Sequence, residues 1–311
     1  MAQVSMQAVK ELRDRTQAGL NDCRSALIEA EGDLDRAVEV ILKKGLAKSA
    51  KRAGAVASEG EVTAVVTPDA MSGVLIEVNI QTDFAARNDD FREFVRQVAQ
   101  AATQAAPGVD LGTVPYPAGG GTVDEVRQAL VGKLGENVVV RRWDRLAVPG
   151  SGVVVSYVHM GGKIGVLLGA KCSSAEAKQA AEFKKLLEDS AMQVAAMAPQ
   201  YLSSGDIPEA VRSKQSEIFD AQLTEEGKPE KVRPGIIQGK LRKWSEEVCL
   251  LEQKSVIETD KSVGALVQAV AQQLKADIQL SGFVRYQLGE GIDKPVKEDF
   301  ASEVARMSQG S

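Results

Sequence analysis

The chain has 311 residues, enough for two or three modules that each bury their own core. Apolar residues make up 44% and charged ones 26%, as in globular proteins that face water, and a formal charge of -5 gives no general attraction to nucleic acid or anionic lipid. Three scattered cysteines without a CxxC pair exclude a readable zinc ribbon or dithiol motif, and no run has the length of a membrane span or a signal-peptide core, so a cytoplasmic location is expected.

The first predicted elements are three short helices. Val4 to Arg15 carries a helical pattern, Thr16, Gly19 and Asn21 interrupt it, and Asp22 to Ala30 resumes it as far as Gly32. Asp33 is placed as the N-cap of a third helix with the stripe Leu34, Ala37, Val38, Ile41 and Leu42, and Gly45 as its C-terminal stop. Leu12, Leu20, Leu27 and Ile28 are expected to face inward. The basic, Ala-rich stretch from Gly45 to Gly60 reads as a linker or a solvated helix.

A repeated unit follows. Glu61 to Thr67 and Gly73 to Ile80 are strand-like, with a turn at Pro68-Asp69, and Val74, Ile76, Val78 and Ile80 share one face. Asp90-Phe91-Arg92-Glu93 has the pattern of a capping box, and Phe91, Phe94, Val95, Val98, Ala99 and Ala102 form a helical stripe behind it. A loop rich in Pro and Gly (Pro107 to Gly121), a helix from Val123 to Lys133 and a strand from Asn137 to Arg142 complete the first unit. The same order returns with strands Val153 to His159 and Lys163 to Ala170, joined by Met160-Gly161-Gly162. A long helix from Ser174 to Ala198 then stops at Pro199, and later come a helix from Ser262 to Lys275 and a strand from Phe283 to Leu288. Hairpin, helix and strand, twice over, predict an α+β fold of two related halves. Between the later elements, Tyr201 to Ser245 is polar with thin apolar seams, which predicts two antiparallel helices projecting outward.

Motifs for chemistry are missing. No Gly-Lys pair completes a phosphate loop, and the glycine clusters at 119–121 and 289–291 do not complete GxGxxG. His159 is the single histidine, which excludes HExxH, and no GxSxG elbow accompanies it. Its place beside a glycine turn favours an exposed turn residue over a catalytic one. The most unusual segment is Gln81-Thr82-Asp83-Phe84-Ala85-Ala86-Arg87-Asn88, which sets a large aromatic in a polar turn between strand and helix. Phe84 lies seven residues before Phe91, in phase with that stripe, and residue type alone favours its burial.

That segment carries a resemblance. Glu77-Val78-Asn79-Ile80-Gln81-Thr82-Asp83-Phe84 is similar to the signature of the elongation factor Ts family, and Val9 to Cys23 (VKELRDRTQAGLNDC) to its N-terminal signature. Gly135-Glu136-Asn137 to Arg142, Ser156-Tyr157-Val158-His159, Ile164-Gly165-Val166-Leu167 and Gly282-Phe283-Val284-Arg285-Tyr286 follow in family order across essentially the whole chain. Ala85 stands where the family usually has Val, Gln17 where Gly is common and Gln193 where many members carry His; the Pro107 to Gly121 loop matches nothing familiar.

The resemblance implies a three-helix domain of the ubiquitin-associated type over residues 1–55 and a core N-subdomain over 56–143. It further implies a core C-subdomain over 144–200 and 246–280, a helical-hairpin insertion over 201–245, and a last core strand with a C-terminal module over 281–311. Glu298 to Met307 would be the helix of that module. By the same resemblance the chain is a non-enzymatic exchange factor for elongation factor Tu, which it would bind both with GDP and free of nucleotide. It would need no cofactor, metal or small-molecule substrate of its own and contact neither membrane nor nucleic acid. Thr82, Asp83, Phe84 and Ala85 would displace Mg²⁺ from the partner by wedging into its GTPase domain. Arg13, Leu20 and Asn21 would contact that domain as well, and His159 another. The alternative is an adaptor of the ubiquitin-associated type that binds polypeptide without exchange activity; a hydrolase built on His159 is a third class.

Overall fold

The structure, a computed structural model, describes residues 4–16 and 18–293, so Gln17 and the helix expected from Glu298 to Met307 lie outside the described residues. Helices α1 (Met6–Thr16), α2 (Leu20–Glu29) and α3 (Leu34–Arg52) form an N-terminal bundle. Its core is Val9, Leu12, Cys23, Ala26, Leu27, Ala30 and Ala37, and the 23, 26, 27, 30 spacing keeps one face of α2 inward. Asp33 accepts from the Arg36 amide at 2.9 Å, as expected of an N-cap.

Three expectations for this bundle are corrected. Leu20 is 45% exposed and Ile28 52%, because α2 starts at Leu20, leaving it at the rim of the stripe, and Ile28 falls just beside it. Leu42 is likewise exposed. Gly45 does not stop α3, which continues to Arg52. A Cβ on Gly132 would lie 3.1 Å from the Gly45 Cα, so the bare Gly132 lets a helix of the neighbouring unit lie close against α3, whereas a Cβ on Gly45 would meet only the Gln128 carbonyl oxygen at 3.8 Å.

The core is two antiparallel three-stranded sheets. One has the order β1 (Glu59–Val66), β2 (Ser72–Ile80), β3 (Val138–Ala147); the other β4 (Gly152–His159), β5 (Ile164–Cys172), β6 (Ile278–Gln287). Both middle strands carry Gly-Val-Leu near their start, and both shift register four residues after that glycine, at Glu77/Val78 and Gly169/Ala170. Each is buried on both faces. Val74, Ile76, Val78 and Ile80 meet helices on one side, whereas Leu75 turns to the opposite sheet, where it packs with Val62, Val154, Leu167 and Tyr286.

Helices cover the outer faces. Over the first sheet lie α4 (Asp83–Ala86), α5 (Asp89–Gln104) and α6 (Val123–Leu134); over the second α7 (Ala175–Gln179), α8 (Ala181–Met197) and α11 (Val263–Leu274). The result is a four-layer α+β core. Sheet-to-sheet approach depends on small residues: a Cβ on Gly165 would come within 2.5 Å of Val62 Cγ1 and 2.8 Å of Leu75 Cδ1, both in buried, stiff surroundings. Gly165→Ala is therefore expected to cost about 1–3 kcal/mol by overpacking, read as a lower urea midpoint at unchanged slope. An unshifted midpoint would mean that the sheets part freely.

Beyond α3, two more helix boundaries differ from expectation. Asn88, not Asp90, caps α5, its side chain accepting from the Asp90 amide at 2.9 Å; the reciprocal capping box occurs instead on α6, between Thr122 and Glu125. The long helix after Ser174 is two helices, because Ala180 has extended backbone (φ -62°, ψ 140°). The Pro107 to Gly121 loop packs on the core through Leu111 and Tyr116, whose ring stacks on Phe94 at 5.9 Å, and Trp143 Nε1 donates to the Val109 carbonyl. Gln193 is buried, donating to Gln253 and the Lys254 carbonyl and accepting from the Val256 amide.

The polar insertion forms an antiparallel pair, α9 (Glu209–Glu225) and α10 (Arg233–Val248), linked by an Arg233–Asp220 ion pair at 3.2 Å. Ile207, Val248 and Cys249, with Tyr201 and Trp244, fix its base. Among the described residues no helix is long and apolar enough to cross a membrane.

One polar cluster inside the core stands apart. Glu77, fully buried on β2, accepts from Arg141 Nη1 at 2.9 Å, Arg142 Nε at 2.6 Å, Asn79 Nδ2 at 3.1 Å and the Gly289 amide at 2.7 Å. Arg142 lies over the Tyr286 ring and also donates to the Gln287 carbonyl, and Tyr286 donates to Asp144. The cluster ties the first sheet to the segment after β6.

Candidate functional site

The conspicuous surface feature is the turn between β2 and α5. Thr82 is extended (φ -121°, ψ 153°) and its hydroxyl oxygen accepts from the Ala85 amide at 3.2 Å, which closes Asp83–Ala86 into the single helical turn α4. Ala85 and Ala86 pack against the apolar layer over the first sheet. Phe84 points the other way and is 81% exposed. Its phase with Phe91 therefore does not bury it: Asn88 breaks the helix between them, so the two rings do not share one continuous stripe. A ring held out in water on a short, braced turn lacks the apolar contacts that normally justify a phenylalanine.

Several groups brace this turn. Gly135 ends α6 in the left-handed conformation (φ 72°), which turns the chain so that Glu136 and Asn137 follow directly toward the turn. Both oxygens of the Glu136 carboxylate are used: Oε2 accepts from the Thr82 amide at 3.0 Å and Oε1 from the Thr82 hydroxyl at 2.7 Å. Gln81 Oε1 accepts from the Asn137 amide at 2.7 Å, and Asn137 Nδ2 donates to the Ala55 carbonyl at 2.9 Å. Lys133 pairs with Asp90 at 2.7 Å across α6 and α5. The Asp83 carboxylate pairs with Arg87 one turn on, at 2.9 Å, an exposed contact easily exchanged for another partner.

His159 ends β4 and is exposed; its Nδ1 is 2.9 Å from the Tyr157 hydroxyl and the two rings stack at 5.8 Å. The hairpin it enters lies at the same end of the sheets as the aromatic turn. The Gly162 carbonyl accepts from the Val62 amide, Lys163 pairs with Glu59 at 2.9 Å, and Glu59 is the β1 partner of Ile80, two residues before Thr82. Met160, 72% exposed, adds apolar surface at that hairpin tip.

Arg13, Leu20 and Asn21 are all exposed on the N-terminal bundle, on the end of α1 and the start of α2. Nothing chemical unites this set: among the described residues no group of three or more His, Cys, Asp or Glu is placed to hold a metal, and the three cysteines are buried and free. What the arrangement offers is a rigid apolar projection with a carboxylate beside it, suited to entering another protein's surface. Sequence reasoning missed the roles of Gln81, Glu136 and Asn137. Gly135-Glu136-Asn137 is visible as a matching motif, but no local pattern shows which residue it reaches.

Comparison with known proteins adds an independent line. A sequence model for the family described as Elongation factor TS matches residues 81–290. The chain is 45% identical to Elongation factor Ts of a Nitratiruptor species, over 97% of this chain and 98% of that protein. It is 42% identical to Elongation factor Ts of Symbiobacterium thermophilum, over 99% of each, and 41% identical to that of Clostridium perfringens, over 98% of this chain and 99% of that protein.

Proposed function

From the premise that this chain belongs to the elongation factor Ts family, we propose that it is a non-enzymatic exchange factor that binds elongation factor Tu carrying GDP and speeds replacement of the nucleotide by GTP in the cytoplasm. The observation that carries this reading is the exposed Phe84 on a braced turn. A partner that closed around this ring would remove a large apolar surface from water, worth about 1.5–3 kcal/mol. Entry of the ring and of Asp83 beside the partner's phosphate-binding loop would disturb the amides and the Mg²⁺ that hold the diphosphate, which supply most of the nucleotide's electrostatic hold.

Arg13, Leu20 and Asn21 would add contact from the N-terminal bundle, and His159 with Met160 a contact from the hairpin at the same end as Phe84. The coupling is reciprocal. Whatever factor the chain removes from nucleotide affinity, bound nucleotide removes from the affinity for the chain, so the ternary complex is transient and the GDP/GTP equilibrium is unmoved.

The direct test is release of a fluorescent GDP from elongation factor Tu by the full chain at substoichiometric concentration. Acceleration at each turnover is the expected result. Binding in a pull-down without faster release would favour the polypeptide-binding adaptor, and absence of both would remove elongation factor Tu as the partner.

A further inference from the structure

We propose that Glu136 is a positioning residue that holds the Phe84 turn in its partner-ready shape before contact; this rests on the wedge reading above. Thr82 and Glu136 are 54 residues apart in sequence, and both oxygens of the carboxylate are spent on one residue, the backbone amide and the hydroxyl of Thr82. The amide bond fixes where the turn leaves β2. The hydroxyl bond fixes the Thr82 side chain whose oxygen accepts from Ala85 and so closes the turn under Phe84. Both of its carboxylate bonds reach the Phe84 turn through Thr82, which is how it would act on the ring.

A turn ordered in advance does not have to be ordered at the expense of binding, and charge-assisted hydrogen bonds are the stronger kind for that purpose. Without the carboxylate, the turn keeps its Thr82 cap and its alanine contacts, but its tie to the α6–β3 loop is reduced to the one through Gln81. The ring should then sample several directions. The fold should be little affected, since Thr82 is exposed and Glu136 only half-buried.

The experiment measures release of fluorescent GDP from elongation factor Tu against concentration of the full chain, for the parent, Glu136→Ala, Glu136→Gln, Phe84→Ala and the double variant. Glu136→Ala is expected to slow release about tenfold, with the unfolding midpoint nearly unchanged. Glu136→Gln should recover part of the loss, because a carboxamide can still accept from the Thr82 amide while donating to its hydroxyl. In the Phe84→Ala background the Glu136→Ala change should slow release far less than tenfold, since the absent ring has no position to lose and only Asp83 is left to be misplaced. A merely structural role would instead slow both backgrounds equally, and that result overturns the proposal. Slow Phe84→Ala with unaffected Glu136→Ala overturns the positioning role alone. Unaffected Phe84→Ala overturns the wedge, and the positioning role with it.

Discussion

Phe84→Ala is expected to slow accelerated GDP release from elongation factor Tu by roughly thirty-fold or more, the equivalent of about 2 kcal/mol for a central aromatic anchor. The size of the effect follows from the geometry. The ring is 81% exposed in the free chain, so almost all of its apolar surface remains available for burial on contact. Because it supports no core, its removal should leave the unfolding free energy within about 0.5 kcal/mol of the parent, as for other surface changes. Phe84→Leu should fall between the two, keeping apolar volume but losing the flat ring. Parent-like release by well-folded Phe84→Ala chain would rule the wedge out.

Glu77→Ala is expected to be the most damaging substitution for stability, at about 3 kcal/mol, near the lower end of what is seen when one partner of a buried ion cluster is removed. The change removes the carboxylate that Arg141 and Arg142 share, leaving Arg142 its outer pair with Glu290 at 3.2 Å, strands the Gly289 amide, and leaves Asn79 only the Glu59 carbonyl at 3.3 Å. Both arginines keep some access to solvent (side chains 24% and 30% exposed), which tempers the loss. Urea unfolding at neutral pH measures it directly; a midpoint equal to the parent's would show that the cluster adds nothing.

The same carboxylate gives the prediction a pH signature. Burial works against its charge, yet the Gly289 amide, Arg142, Asn79 and Arg141 together outweigh that and hold its pKa below the ordinary 4.5. A carboxylate whose pKa is depressed by folding contributes stability above its unfolded value, and that stability is lost as pH falls through the folded value. The difference between parent and Glu77→Ala should therefore be full at neutral pH and shrink below about pH 4.5, where the unfolded chain begins to take up the proton first.

Much of the fold was legible in the order of residues because helices and strands report locally. The stripe from Phe91 to Ala102 became α5, and the alternating Val74, Ile76, Val78 and Ile80 became the helix-facing side of β2. The order of hairpin, helix and strand, met twice along the chain, gave away the doubling that the two three-stranded sheets display. Local signals misled where a residue serves a distant neighbour. Gly45 has the sequence character of a helix stop, but it lies within α3, held against α6, whose Gly132 has no side chain to push the two backbones apart. Leu20 and Ile28 have the hydrophobicity of core residues, but α2 only begins at Leu20 and Ile28 lies beside its inward face, so neither is covered.

The candidate site divides in the same way. Its residues were marked by the order of short motifs along the chain, Thr82-Asp83-Phe84 above all, and periodicity then argued wrongly for burying the ring. By itself the sequence determined the general order of helices and strands, that it runs twice, and which family the chain resembles, since each of these is written in neighbouring residues. Only the tertiary structure decided that Phe84 stands in water, that Glu136 grips Thr82 and that Glu77 gathers two arginines and the Gly289 amide. The last two join residues from 54 to 212 positions apart, and a contact between distant segments exists only once the layers between them have packed.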